Sequence, residues 1–307
     1  MNKENPFGSI RYNALGPVLK KEFGRRVAKL SLEAGFTCPN RDGSAGTGGC
    51  LFCSSDGSGR YAGTPDSQIV LLSRKWPNSA YIAYFQSHTN TYAPVETLRR
   101  LWEEALGCPG VVGLAVATRP DCLPPEVLEL LAEFNGKTYL WVELGLQTCR
   151  EDTAKAMNRC YENAAFAEAM DRLSALGIKT VIHLILGLPG ESRRDMLASA
   201  DYAASFHPFG IKLHMLYILK NTGLADLYPH TFQTFEMEAY IKLVADVLER
   251  LPQDITIHRL TGDAPGDELI APQWSRNKHA VLNGVQQELK SRDSFQGIYA
   301  SPISSSW

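Results

Sequence analysis

The chain lacks any run of apolar residues approaching the roughly 18 that a membrane-crossing helix needs, and its polar start, MNKENPFGSIRYN, offers no apolar signal core. A cytoplasmic protein with no membrane partner is therefore expected. A dominant charge sign is also lacking: 31 Lys and Arg face 33 Asp and Glu, for a formal net charge of −2. With no global polybasic field, a polyanion such as nucleic acid would have to be met by local patches. Internal repeats are missing too, and 44% hydrophobic with 21% charged residues over 307 positions is ordinary globular composition, enough chain for a full core. The seven cysteines are odd in number, in a chain too large to need disulfide staples. This argues against a secreted disulfide framework and leaves reduced thiols that can serve as ligands.

What is present is a regular alternation. Apolar, β-rich runs fall at Val27 to Leu32, Tyr81 to Phe85, Val111 to Ala117, Tyr139 to Leu146, Thr180 to Leu186, Ile211 to Tyr217 and Ile255 to His258. Between them, Pro94 to Leu106, Pro125 to Phe134, Ala164 to Leu176, Arg193 to Phe206 and Glu236 to Leu251 repeat apolar residues at helical spacing. Ser192, followed three residues on by Asp195, reads as a helix cap. Near-continuous apolar strands separated by helices predict a parallel α/β sheet, read here as an incomplete (β/α) barrel over residues 1–258, with 259–307 as a C-terminal extension packed on or near it.

Directly after the first strand stands CPNRDGSAGTGGCLFC, with Cys38, Cys50 and Cys53 spaced C-x(11)-C-x(2)-C. Three soft thiolates in a glycine-rich loop suit zinc with a fourth ligand from elsewhere, or an iron–sulfur cluster with one open iron. In a parallel barrel, the loops after the strands are where chemistry sits.

At this point the sequence resembles the radical S-adenosylmethionine (SAM) superfamily, and within it the YhcC/YtqA-like family related to the radical half of the Elongator catalytic subunit. The resemblance runs from about Tyr12 to Leu289, on KLSLEAGFTCPNRDGSAGTGGCLFC, YFQSHTNTYAP, ATRPDCLP, ELGLQT, HLILGLPGE and IKLHMLYILKNTGL. It implies a partial (β/α)6 TIM-like radical SAM barrel. It also implies a 4Fe-4S cluster on Cys38, Cys50 and Cys53, SAM chelated at the open iron and cleaved to a 5′-deoxyadenosyl radical, and an electron donor such as flavodoxin or ferredoxin.

Inward-facing polar residues near strand ends are the site candidates. Glu143, Gly145 and Gln147 alternate onto one face of the fourth strand, and Lys212 and His214 onto one face of the sixth. A buried lysine needs an anion or a route to water, so Lys212 and His214 either contact substrate or cofactor, or Lys212 pairs with an acid such as Glu143. These three are the candidate catalytic group. The resemblance, extended to ELGLQT-like stretches of oxygen-independent coproporphyrinogen oxidases, implies that Gln147 contacts SAM and that Arg159 pairs with its carboxylate. It also implies that His183 stands at its ribose, Gly187 near its adenine and Gln86 near its amino group. Cys160 and Tyr161 depart from the glycine and histidine that the family usually carries after that arginine, and Cys108, Cys122, Cys149 and Cys160 lack ligand-pair spacing.

Two basic segments stand out: Lys20, Lys21, Arg25, Arg26 and Lys29 against Glu22, and Arg276, Lys278, Lys290 and Arg292 against Glu288. Flanking a barrel mouth, they would hold a phosphate backbone, with Trp274, Tyr299 and Trp307 free to stack a base. The family tie implies a tRNA substrate, with the carbon-5 side chain of the wobble uridine modified and carboxymethylaminomethyl converted to aminomethyl. A small metabolite or another RNA is the competing enzymatic reading, and a zinc-stabilised RNA-binding module the non-enzymatic one.

Overall fold

The computed structural model describes residues 4–55, 57, 59 and 61–300; the SPISSSW tail, with Trp307, lies outside them. Nine strands are described: β1 (Val27–Leu32), β2 (Ala80–Phe85), β3 (Val111–Thr118), β4 (Tyr139–Gln147), β5 (Lys179–Leu186), β6 (Gly210–Met215), β7 (Ile218–Leu219), β8 (Thr256–Arg259) and β9 (Leu269–Ala271). Ten helices accompany them: α1 (Leu15–Phe23), α2 (Pro65–Lys75), α3 (Val95–Leu106), α4 (Pro125–Lys137), α5 (Glu151–Ala156), α6 (Asn163–Ala175), α7 (Arg193–Ala204), α8 (Gly223–Leu227), α9 (Met237–Arg250) and α10 (Lys278–Ser291).

One sheet runs β1-β2-β3-β4-β5-β6-β8, every neighbour parallel. It is the expected open half-barrel, six strands in chain order with a seventh added beyond β6. Each apolar run lands within a residue or two of its strand, the sixth running two residues past the end of β6. There the chain leaves the sheet after Met215, and Ile218–Leu219 pairs antiparallel with β9 of the C-terminal segment. The second, two-stranded sheet begins just past the end of that apolar run, which the run itself did not reveal.

Strand alternation divides the core in two. Outward residues such as Leu30, Val116, Leu144, Leu184 and Leu213 are fully buried under the helices. There Trp102 of α3 meets Phe134 of α4 edge-on, ring centres 5.3 Å apart. Inward residues form a smaller cluster, in which Leu15 and Leu19 of α1 pack against Ile82, Tyr84, Trp141 and Val181. Helix α1 therefore plugs the N-terminal end of the barrel, and polar inward residues can gather only toward the other end. Ser192 and Asp195 form the expected reciprocal cap of α7.

The basic N-terminal segment divides accordingly. Lys20, Lys21, Arg25 and Arg26 are exposed at the N-terminal ends of the strands, opposite to the thiol loop, not beside the mouth as expected. Lys29 points into the barrel, its ammonium 4.6 Å from the Tyr84 ring centre. In the second segment Arg292 is tied to Asp246, Glu249 and Glu288 at the α9–α10 contact. Trp274 is half-buried against Tyr240 and donates its indole N–H to the Phe235 carbonyl, so it is not free to stack a base.

Candidate active site

The loop after β1 folds back on itself. The amides of Arg41 and Asp42 donate to the Cys38 carbonyl at 2.8 and 3.3 Å, and that of Gly49 to the Asn40 carbonyl at 2.7 Å. Asn40 is fully buried; its amide reaches the Cys50 sulfur at 3.5 Å and the Asn158 carbonyl at 2.5 Å. Asn158, at φ 54°, donates to the carbonyls of Thr47 and Gly49 at 3.0 and 2.8 Å. Gly46 is required for this closeness, because a Cβ there would come within 2.3 Å of Asn40 Oδ1 and 2.7 Å of Cys160 Sγ. Cys160, unassigned from the sequence, thus packs behind the loop.

Cys38, Cys50 and Cys53 are half-buried and line one cavity of about 590 Å³. The Cys50 thiol is pushed down to about 7 by its hydrogen bond with Cys53, then by Asn40 and the nearby Arg119 and Arg159 charges, whereas Cys53, on the other side of that bond and desolvated, is pushed up. Among the described residues no three His, Cys, Asp or Glu side chains gather as the ligands of a single metal ion would.

Deeper in the barrel the organising group is Glu143, a fully buried carboxylate on β4. Its Oε2 accepts from the Tyr84 hydroxyl at 2.7 Å and from the Lys212 ammonium at 2.9 Å, and stands 2.7 Å from His183 Nε2. Its Oε1 accepts from the Trp141 indole at 3.0 Å and faces Lys29 at 4.0 Å. Lys212 and Lys29 outweigh the desolvation of Glu143 and hold its carboxyl well below the usual range. Burial in turn pulls Lys212 down to about 7 and His183 to about 4, and keeps His214 neutral, with Arg259 the next cause. Of the two readings open from sequence, the Lys212–Glu143 pair is present, within a larger network.

Of the residues singled out from sequence, Gln86, Gln147, Arg159, His183, Lys212, His214, Glu143 and the three thiols all line this cavity; Gly187 does not. Gly187 adopts φ 100°, and a Cβ there would come within 3.1 Å of the Phe235 ring. Gln147 follows a bulge in β4 and has φ 67°. The guanidinium of Arg159, 1% exposed, is committed to the carbonyls of Leu146, Thr148 and Tyr161, to Asn163 Oδ1 and to Glu151. A cofactor carboxylate would have to displace one of these partners. Glu151, at 3.3 Å and half exposed, is the most easily displaced.

Sequence reasoning passed over Tyr84, Lys29, Arg119 and Arg259. Arg119 pairs with Asp121 and donates to the carbonyls of Arg159 and Cys160, with one nitrogen 4.0 Å from Cys38 Sγ. The ATRPDCLP stretch was its signal. Strand alternation would have turned Lys29 and Tyr84 inward.

Comparison with known proteins agrees with this geometry. The Radical SAM superfamily model matches residues 38–203 and the Radical_SAM C-terminal domain model residues 208–291. This chain belongs to the radical SAM enzyme superfamily, and within it to the YtqA/YhcC-like proteins. It is 43% identical to YtqA of Bacillus subtilis, over 97% of each chain. It is 33% identical to YhcC of Escherichia coli K12, over 96% of each. Elongator complex protein 3 of Danio rerio is 30% identical over 50% of this chain and 28% of its own length. The fold resembles that of Elp3 from the archaeon Methanocaldococcus infernus, with TM-score 0.66 and 16% identity, over 88% of this chain and 64% of that one. Superfamily membership implies the use of SAM and a 4Fe-4S cluster. Among the described residues no helix is long and apolar enough to cross a membrane.

Proposed function

We propose that this radical SAM enzyme modifies the carbon-5 side chain of a tRNA wobble uridine, converting carboxymethylaminomethyl-uridine to aminomethyl-uridine. The observation that carries the reading is the meeting, in one cavity, of three loop thiols and a chamber where seven Lys and Arg face three carboxylates. Such a chamber suits a negatively charged substrate, and the kinship with Elongator complex protein 3 supports an RNA.

Cys38, Cys50 and Cys53 would hold the cluster. The donor set fits: three thiols line one cavity, one of them already eased toward thiolate. When bound, the cluster and SAM supply a 5′-deoxyadenosyl radical for hydrogen abstraction. The chain's own residues position and shield. Asn40 and Arg119 steady the thiols. Gln86 and Gln147 offer polar contacts to SAM on the cavity wall, Arg159 its carboxylate pairing, and His183 a ring nitrogen for the ribose. Lys212, His214 and Glu143 face the substrate, with Tyr84 fixing the Lys212–Glu143 pair. The electron would come from a small donor such as flavodoxin or ferredoxin.

Nucleoside mass spectrometry of tRNA from a deletion strain tests the reading. Loss of the aminomethyl nucleoside with accumulation of its carboxymethylaminomethyl precursor is expected. Unaltered tRNA, alongside SAM cleavage by the purified protein, would overturn the wobble-uridine assignment.

A further inference from the structure

The cavity holds more buried positive charge than its acids balance, and the surplus is localised. Across the ladder Gly145, His183, Lys212 and Arg259 are successive partners on β4, β5, β6 and β8. Three of these four carry basic side chains, and His214 follows on the same face of β6. Lys29 adds a further ammonium from β1. Facing them, Glu143 is already shared among Tyr84, His183 and Lys212, and the acid that meets Arg259 is Asp263 at the rim. Asp263 pairs with both Arg259, at 3.0 Å, and Lys278, at 2.8 Å. His183 and His214 are neutral, so the like charges set side by side on this ladder are Lys212 and Arg259, a pairing that is destabilising unless something compensates it.

The cavity's guanidiniums also differ in what they have left to give. Arg119 and Arg159 are saturated by carboxylate and carbonyl partners. Arg259 has the Asp263 ion pair and, among the described residues, no hydrogen bond. His214 likewise makes ring contact with His183 and no hydrogen bond, with its edge on the cavity. A planar fork and a neutral imidazole N–H, both open to the same chamber beside the Lys212 ammonium, form a donor set for a two-oxygen anion.

We infer that Arg259, His214 and Lys212 form an anion subsite that takes the substrate's terminal carboxylate and so determines specificity. The inference deepens the proposed function and rests on its reading of the cavity as the substrate chamber. Asp263 then acts as the resident counter-charge, which the incoming carboxylate relieves.

The test uses cluster-reconstituted protein with SAM bound, so that the SAM carboxylate is already placed. N-methylglycine serves as the carboxylate probe, N-methylglycinamide as its uncharged counterpart and inorganic phosphate as the alternative anion, each titrated calorimetrically. Saturable binding of N-methylglycine about ten- to a hundredfold tighter than its amide is expected. That preference should vanish in Arg259→Gln and survive in part in Arg259→Lys, which keeps the charge and loses the fork. Wild-type protein that does not distinguish acid from amide would overturn the subsite, as would an Arg259→Gln protein with native melting and cluster absorbance that keeps the wild-type preference. Should Arg259→Gln fail to fold, an undiminished preference in Arg259→Lys together with His214→Phe overturns it equally. Phosphate bound in preference to N-methylglycine would overturn the carboxylate assignment. Failure of the tRNA reading is seen separately: the acid–amide preference would stand while tRNA from a deletion strain is unaltered.

Discussion

The Lys212 ammonium lies 2.9 Å from Glu143 Oε2 and 2.7 Å from the Tyr84 hydroxyl, itself 2.7 Å from the same carboxylate oxygen. Three strands thus meet at one closed triangle of hydrogen bonds in the barrel interior. Removing both charges together costs less than removing either one, because a lone survivor has no compensating partner in a dry interior.

Glu143→Gln should therefore lower stability by about 3–5 kcal/mol, since it strands the Lys212 and Lys29 ammoniums. Lys212→Met combined with Glu143→Gln should recover part of that loss. Denaturant unfolding of the two single variants and the double variant checks the coupling, and additive losses would show that the pair is not coupled.

Acid sensitivity follows from the same network. His183 is held near 4, below its unfolded value of 6.5, and burial moves His214 and His258 the same way. Between pH 4 and 6.5 the unfolded chain binds protons that the folded chain refuses, so stability rises with pH across that window and is lost as pH falls. The slope is about 1.4 kcal/mol per pH unit for each histidine. Unfolding free energy measured across the window should follow this sign, and His183→Gln should reduce the slope by about 1.4 kcal/mol per pH unit while His214 and His258 maintain the rest.

Strand positions were legible because fully buried parallel strands leave unbroken apolar runs, and the thiol loop because its spacing is itself a ligand pattern. The interior was less legible. Lys29 was grouped with its basic neighbours along the chain, whereas alternation in β1 sends it away from them. Arg259 sits at the end of β8, one residue past the apolar run Ile255 to His258, and sequence gives no sign of the register that sets it beside Lys212. Arg159 was found, but its saturation by carbonyls of Leu146, Thr148 and Tyr161 depends on loop paths that spacing does not encode.

The three thiols are separable from the other four by substitution. Anaerobically reconstituted Cys38→Ala, Cys50→Ala and Cys53→Ala proteins should each lose the visible cluster absorbance and reductive SAM cleavage. Cys108→Ala, in the turn between α3 and β3 and outside the cavity lining, should retain both. Retained cleavage in Cys38→Ala would remove that thiol from the ligand set.

Arg159 and Glu151 offer a sharper test of SAM binding. If Arg159 turns to the SAM carboxylate, it does so by giving up Glu151, and Glu151→Gln should tighten SAM binding severalfold by weakening the competitor. Arg159→Ala should weaken it by about ten- to a hundredfold. Calorimetric SAM titration of both variants decides. A Glu151→Gln affinity equal to wild type would make Arg159 a brace of the loop alone.

RNA binding should be sensitive to charge at the mouth and not at the far end of the barrel. Arg276 and Lys278 line the cavity, whereas Lys20, Lys21, Arg25 and Arg26 lie at the opposite strand ends. Each phosphate neutralised contributes a slope of about 0.7 for single-stranded RNA in a plot of log affinity against log salt. Replacing Arg276 and Lys278 with Gln should reduce that slope by about 1.4 if each meets one phosphate. Replacing the four N-terminal cations should leave it unchanged. Fluorescence titration of an anticodon stem-loop at several salt concentrations reads both, and a slope that falls only in the N-terminal variant would place the RNA on the other face of the barrel.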